Sequence, residues 1–209
     1  MRKASLGTLF LTVFLDLLGF GLVIPFLPGV ARVHGASDLE ATLLGAAFSA
    51  MQFLFIPLWG RLSDRIGRRP VLLWSIAASA IGMVLLGFAP SLAMLFVARL
   101  WSGMATANIA VAQAYIADVT TPERRARGMG LIGMAFGLGF IFGPFAGGEL
   151  GRFSVLGRPG ALAALVAAGL SAVNLVMAFF LLPESRPDSP AESARPPRRA
   201  VPFDPEALR

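Results

Sequence analysis

Gly60-Arg61-Leu62-Ser63-Asp64-Arg65-Ile66-Gly67-Arg68-Arg69-Pro70 is a cationic link between two apolar runs, each long enough to cross a bilayer. Four arginines stand within nine residues around one acid, Asp64. With Gly60 and Gly67 on either side of that acid, the link is expected to turn tightly while its charge stays out of lipid. Loops rich in arginine and lysine stay on the cytoplasmic side of a membrane protein.

Composition agrees with a membrane chain. Hydrophobic residues make up 56% of the sequence and charged ones 14%, with a mean hydropathy of +0.73, whereas about a quarter of a soluble domain is charged. The net charge of +6 does not indicate nucleic-acid binding, because the basic residues sit in short loops between apolar runs and form no single basic face. The absence of cysteine removes disulfides, thiolate metal sites and thiol nucleophiles. The one histidine, His34, lies in a polar stretch, and no nucleotide-binding or metal-ligand spacing occurs. No cofactor and no enzymatic activity are therefore expected. Arg2 and Lys3 precede an apolar run that is longer than a signal-peptide core and contains Asp16, so it reads as an uncleaved first span.

About 20 mostly apolar residues cross the hydrocarbon core as a helix. Six segments meet that test, roughly 6–28, 41–59, 70–89, 92–117, 128–150 and 160–182, giving an all-α integral-membrane bundle. Six crossings put both termini on one side. Of the eighteen arginines and lysines, fourteen fall on the side of the 61–69 link, three (Arg32, Arg152 and Arg158) on the other, and Arg99 inside a span. The expectation is a multi-pass protein of the inner, cytoplasmic membrane with both termini in the cytoplasm. Trp59 and Trp74 fall near the cytoplasmic boundary and read as interfacial anchors. Residues 183–209, rich in proline, serine and arginine, read as a flexible cytoplasmic tail or linker.

Within the spans a few polar residues stand out. Asp16 lies ten residues past Leu6, about 15 Å along a helix and so near mid-bilayer. A carboxylate there must be hydrated, paired or protonated, and it is either a polar contact between helices or part of an aqueous cavity. Gln52 marks the second span. Arg99, Asn108 and Gln113 mark the fourth, with Asp118 at its cytoplasmic end; these residues either line a cavity or bond between helices. In the fifth span Gly139, Gly143 and Gly147 recur every four residues along one face, where another helix can approach closely, and Pro144 favours a bend.

Three motifs resemble the major facilitator superfamily, in particular its drug:proton antiporters and the tetracycline efflux branch. They are the 60–69 link, the fifth-span pattern of Gly130, Gly139, Gly143, Pro144, Gly147 and Gly148, and Asp16-x-x-Gly19-x-Gly21 followed by Pro25 and Pro28. Arg99-x-x-Ser102-Gly103 is similar to the fourth-helix motif, with serine where the family has glutamine. The resemblance implies the N-terminal half of a two-half fold, six helices arranged as a 3 + 3 inverted repeat. It also implies proton-coupled efflux of small amphipathic compounds, with Asp16 as the proton-carrying or substrate-contacting acid. Gly60, Asp64, Arg65, Gly67, Arg68, Arg69 and Asp118 would form a cytoplasmic gate. Because Phe203 to Arg209 look like the segment before a seventh helix, the implied partners are protons, a small-molecule substrate, lipid, and a second six-helix half or a second copy. Metabolite symport and a non-transporting membrane subunit are the alternatives.

Overall fold

The computed structural model describes residues 6–106, 108–155 and 157–185. Helices α1 (Leu6–Val23), α2 (Leu27–Val33), α3 (Asp38–Ile66), α4 (Arg68–Gly87), α5 (Leu92–Ala105), α6 (Asn108–Val119), α7 (Pro122–Leu150) and α8 (Ala161–Leu181) follow one another. A small antiparallel hairpin, β1 (Ser154–Val155) with β2 (Arg158–Pro159), intervenes before α8. Taken end to end, α1 with α2 and α5 with α6 each make one membrane-length stretch, so six stretches are long and apolar enough to span.

The helices overshoot the apolar segments that announce them. Residues 60–66 continue α3 rather than forming a loop, since hydrogen bonding along a helix does not stop where lipid stops. Gly60 is therefore helical, and the turn contracts to Gly67 alone, at φ +105°, a conformation that a residue with a Cβ adopts only with strain. In the same way α7 begins at Pro122 rather than 128, with proline in the first turn where its missing N–H costs nothing.

Two spans are interrupted. Pro25 lies within the turn between α1 and α2, and Pro28 stands in the first turn of α2. Between α5 and α6 the chain leaves the helix at Thr106, which strips the carbonyls of Met104 and Ala105 of their intrahelical partners. Trp59 Nε1 donates to Met104 O at 2.6 Å, and Ser75 Oγ donates to Ala105 O. Trp59 thus turns inward to close the break, contrary to its expected place as an interfacial anchor. Trp74 remains exposed.

Packing carries the symmetry of an inverted repeat. α1 packs chiefly on α7 and α8, α5 packs chiefly on α3 and α4, and α4 packs on α8. Exchanging the first three spans for the last three maps the first four of these pairings onto one another and α4–α8 onto itself, and both interrupted spans occupy equivalent places. The closest approach lies between α1 and α7. A Cβ on Gly21 would stand 2.9 Å from Gly139 O and 3.0 Å from Gly143 Cα, and one on Gly147 would strike Leu22 O. Gly130 and Gly148 have open space instead, so only the middle of the glycine pattern serves packing.

Candidate functional site

All six spans contribute to a cavity of about 210 Å³. Most do so through side chains four residues apart: Asp16 and Phe20 on α1, Phe48 and Gln52 on α3, Ser79 and Met83 on α4, Phe136 and Phe140 on α7. Ser102 of α5, Thr106 directly after it and Ser171 of α8 complete the polar lining. An i, i+4 pair shows one helical face over one turn, which is how each helix can line one wall and still pack elsewhere. The aromatic rings run continuously along that wall. Phe48 meets Phe20 at 5.0 Å between centroids, Phe20 meets Phe140 at 6.1 Å, and Phe140 stacks on Phe136 at 6.0 Å. A carboxyl, an amide and hydroxyls therefore face an aromatic surface, the mixture that holds a flat amphipathic molecule.

Asp16 and Gln52 line this cavity, and two other candidates, Arg99 and Gln113, stand outside its lining. Arg99 is 3% exposed, with its guanidinium carbon 5.2 Å from the centre of the Phe48 ring, so it meets the cavity through that ring. Its Nε and Nη2 have no hydrogen-bond partner among the described residues. Gln113 is exposed on α6, because Val111, Ala112, Tyr115 and Ile116 take that helix's buried face. The side chain of Asn108 lies outside the described residues.

At the arginine-rich end Arg68 gathers a second cluster. Its Nη1 lies 2.6 Å from Asp64 Oδ1 and donates to Ser63 Oγ at 2.6 Å, while Nε donates to Asp118 Oδ2 at 3.0 Å. Arg65 sits in the last turn of α3. Arg69 turns outward, donating to Phe179 O at 2.6 Å and covering the Phe179 ring.

One member of this cluster escaped the sequence reading. Glu184 accepts from the backbone amides of Arg68 at 2.9 Å, Arg69 at 3.2 Å and Ser185 at 2.9 Å, so its carboxylate caps the start of α4. A Cβ on Gly67 would collide with that carboxylate. Tyr115 OH donates to Pro183 O at 2.9 Å, and Ser185 Oγ shares Asp118 with Arg68. Residues 183–185, read from composition as the start of a tail, are thus tied to α4 and α6. The only available signal was an acid directly behind an apolar span.

The model of the Major Facilitator Superfamily matches residues 9–208. The chain belongs to the major facilitator superfamily. It is 46% identical over 177 residues to the class C tetracycline resistance protein of Escherichia coli, covering 83% of this chain and 43% of that protein. Major facilitator superfamily domain-containing protein 10 of Homo sapiens is 34% identical over 215 residues, covering 89% and 46%. The crystal structure of that human protein, described as an organic anion transporter, superposes with a TM-score of 0.77 at 32% identity over 89% of this chain and 48% of the other. An inward-facing bacterial homolog of Spinster superposes with a TM-score of 0.75 at 18% identity, which speaks for the fold alone. The chain spans less than half the length of the curated relatives it matches. As a member of this superfamily it is a multi-pass membrane protein whose relatives carry the names of transporters and resistance proteins.

Proposed function

We propose that this chain forms one six-helix wall of a proton-coupled exporter of small amphipathic compounds, tetracycline-like molecules among them. The observation that carries this reading is the cavity shared by all six spans, where Asp16 stands on the same helical face as Phe20. An acid in a partly apolar cavity exchanges protons and cargo at one place, as alternating access requires. At about 210 Å³ the cavity is smaller than the ~300–1,000 Å³ of a drug-sized site, which favours a second six-helix body, or a second copy, as the opposite wall. The Asp64–Arg68–Asp118 cluster with its Glu184 cap would be the gate on the cytoplasmic side of the inner membrane, the side to which the basic loops assign both termini.

Tetracycline-driven proton movement in inverted membrane vesicles enriched in the full chain tests this function. The wild-type chain should release protons when tetracycline is added, and Asp16→Asn should not, at equal protein content. Persistent exchange in Asp16→Asn would remove the acid's role. No exchange with the wild type would favour a subunit that does not transport unaided. The buried Arg99 guanidinium favours a second reading of the cargo, that it carries an anionic group, in keeping with the human relative, an organic anion transporter. Competition between anionic and neutral analogues of tetracycline separates the two.

A further inference from the structure

We propose that Asn174 is a positioning residue for Asp16, its side-chain amide setting the turn of α1 from which that carboxyl projects. This rests on the reading of Asp16 as a working acid and adds a residue of another helix to it. α8 is apolar throughout, with Ser171 and Asn174 as its polar side chains, and Asn174 is fully buried. Its Nδ2 donates to the backbone carbonyl of Thr12 at 2.9 Å. In a helix the carbonyl of residue 12 is the acceptor for the amide of residue 16. Asn174 therefore holds the same oxygen that anchors the Asp16 backbone, and a side chain entering the helical ladder is a recognised cause of local bending. One turn away along α8, Ser171 lines the cavity with Asp16, and a Cβ added at Gly19 would come into van der Waals contact with Ala167 and Ser171. α8 thus meets α1 on both sides of the acid.

Packing does not account for an amide at this position. Asn174 Oδ1 and Thr12 Oγ1 are both buried with no hydrogen-bond partner among the described residues, and each such atom costs free energy that leucine, of similar volume, would not. The pair is a poor way to hold two helices together and a good way to fix one carbonyl. α8 carries no ionisable side chain, α7 carries none between Arg127 and Glu149, and α6 offers Tyr115 and Asp118 toward the arginine-rich end. Arg99 of α5 lies against Phe48.

A carbodiimide such as dicyclohexylcarbodiimide labels protonated carboxyls in apolar surroundings, so its adduct on Asp16, quantified by peptide mass spectrometry on the full chain in membranes, reads that acid directly. The profile is recorded over a pH series for wild type, Asn174→Leu and Asn174→Gln, alongside thermal unfolding. The leucine variant should unfold at or above the wild-type temperature. Its half-labelling pH should nevertheless move by about one unit, a tenfold change in the proton equilibrium, and Asn174→Gln should restore most of it. A leucine profile that superimposes on the wild type overturns the assignment, leaving Asn174 as packing. Should the leucine variant not fold, the profile of Asn174→Ala decides by the same criterion. If Asp16 takes no label in any protein at any pH, the acid itself is wrongly assigned and this role of Asn174 falls with it.

Discussion

Arg68 divides its side-chain donors among Asp64, Ser63 and Asp118, while its own backbone amide is held by Glu184. Such a division needs the planar fork of a guanidinium, since an ammonium group offers its donors from a single point. Arg68→Lys should therefore lower the stability of the purified chain by about 1–2 kcal/mol despite the conserved charge, read as a fall in the thermal unfolding midpoint. Asp118→Asn should cost a similar amount, and the double variant less than the two together, because they remove one shared contact. Additive losses would show that Arg68 and Asp118 act separately. Arg99 presents the opposite case. Its guanidinium is buried against an aromatic face, with two nitrogens unpartnered among the described residues, a poor exchange for hydration. Arg99→Leu should raise the unfolding midpoint while weakening tetracycline binding measured by fluorescence titration; a lowered midpoint would mean that the charge contributes to the fold.

The α1–α7 contact ties stability to a repeat of small residues. Gly143→Ala would drive a methyl group against Gly21, where the Cβ would lie 2.7 Å from its Cα, and overpacking of this kind costs about 1–3 kcal/mol. Gly148→Ala, on the open side of the same helix, should instead stabilise by about 0.5–1 kcal/mol, because alanine loses less backbone freedom than glycine. Thermal unfolding of the two variants side by side checks this, and equal losses would remove the distinction between the faces. At this scale the sequence was legible where hydropathy or spacing carries the message. Six spans and a close-packing glycine face could be read, though not that α1 would be the helix packed there. The break after Ala105 was invisible, since neither proline nor glycine marks it, and the groups that close it, Trp59 and Ser75, lie 45 and 30 residues away. The aromatic wall was hidden for another reason. Among seventeen phenylalanines those facing lipid and those facing a cavity look alike, and only the assembled bundle separates them.

At the scale of the whole molecule, exposure shows which outer faces await a cover. Of the most apolar windows of α3 and α7, only 17% and 22% is buried, against 56% for α4. Phe53 and Phe145 are 79% and 73% exposed. These two helices also carry Phe48, Gln52, Phe136 and Phe140 into the cavity, so the surfaces left for lipid or a second body flank the proposed transport path. The proposed orientation rests on charge, fourteen basic residues against three. A bias that large outweighs the hairpin at the opposite end, where Arg152 is paired with Glu149 and Arg158 with the Phe88 carbonyl and ring. Because the sequence contains no cysteine, Ser154→Cys in that hairpin and Thr121→Cys before α7 each give a single labelling target, and both positions are exposed. A membrane-impermeant maleimide applied to intact cells should modify Ser154→Cys and leave Thr121→Cys untouched until the membrane is opened. The reverse pattern would put the arginine-rich cluster outside, where it could not serve as a cytoplasmic gate. Labelling of both before opening would show that the chain, expressed by itself, inserts in two orientations and needs a second body to fix one.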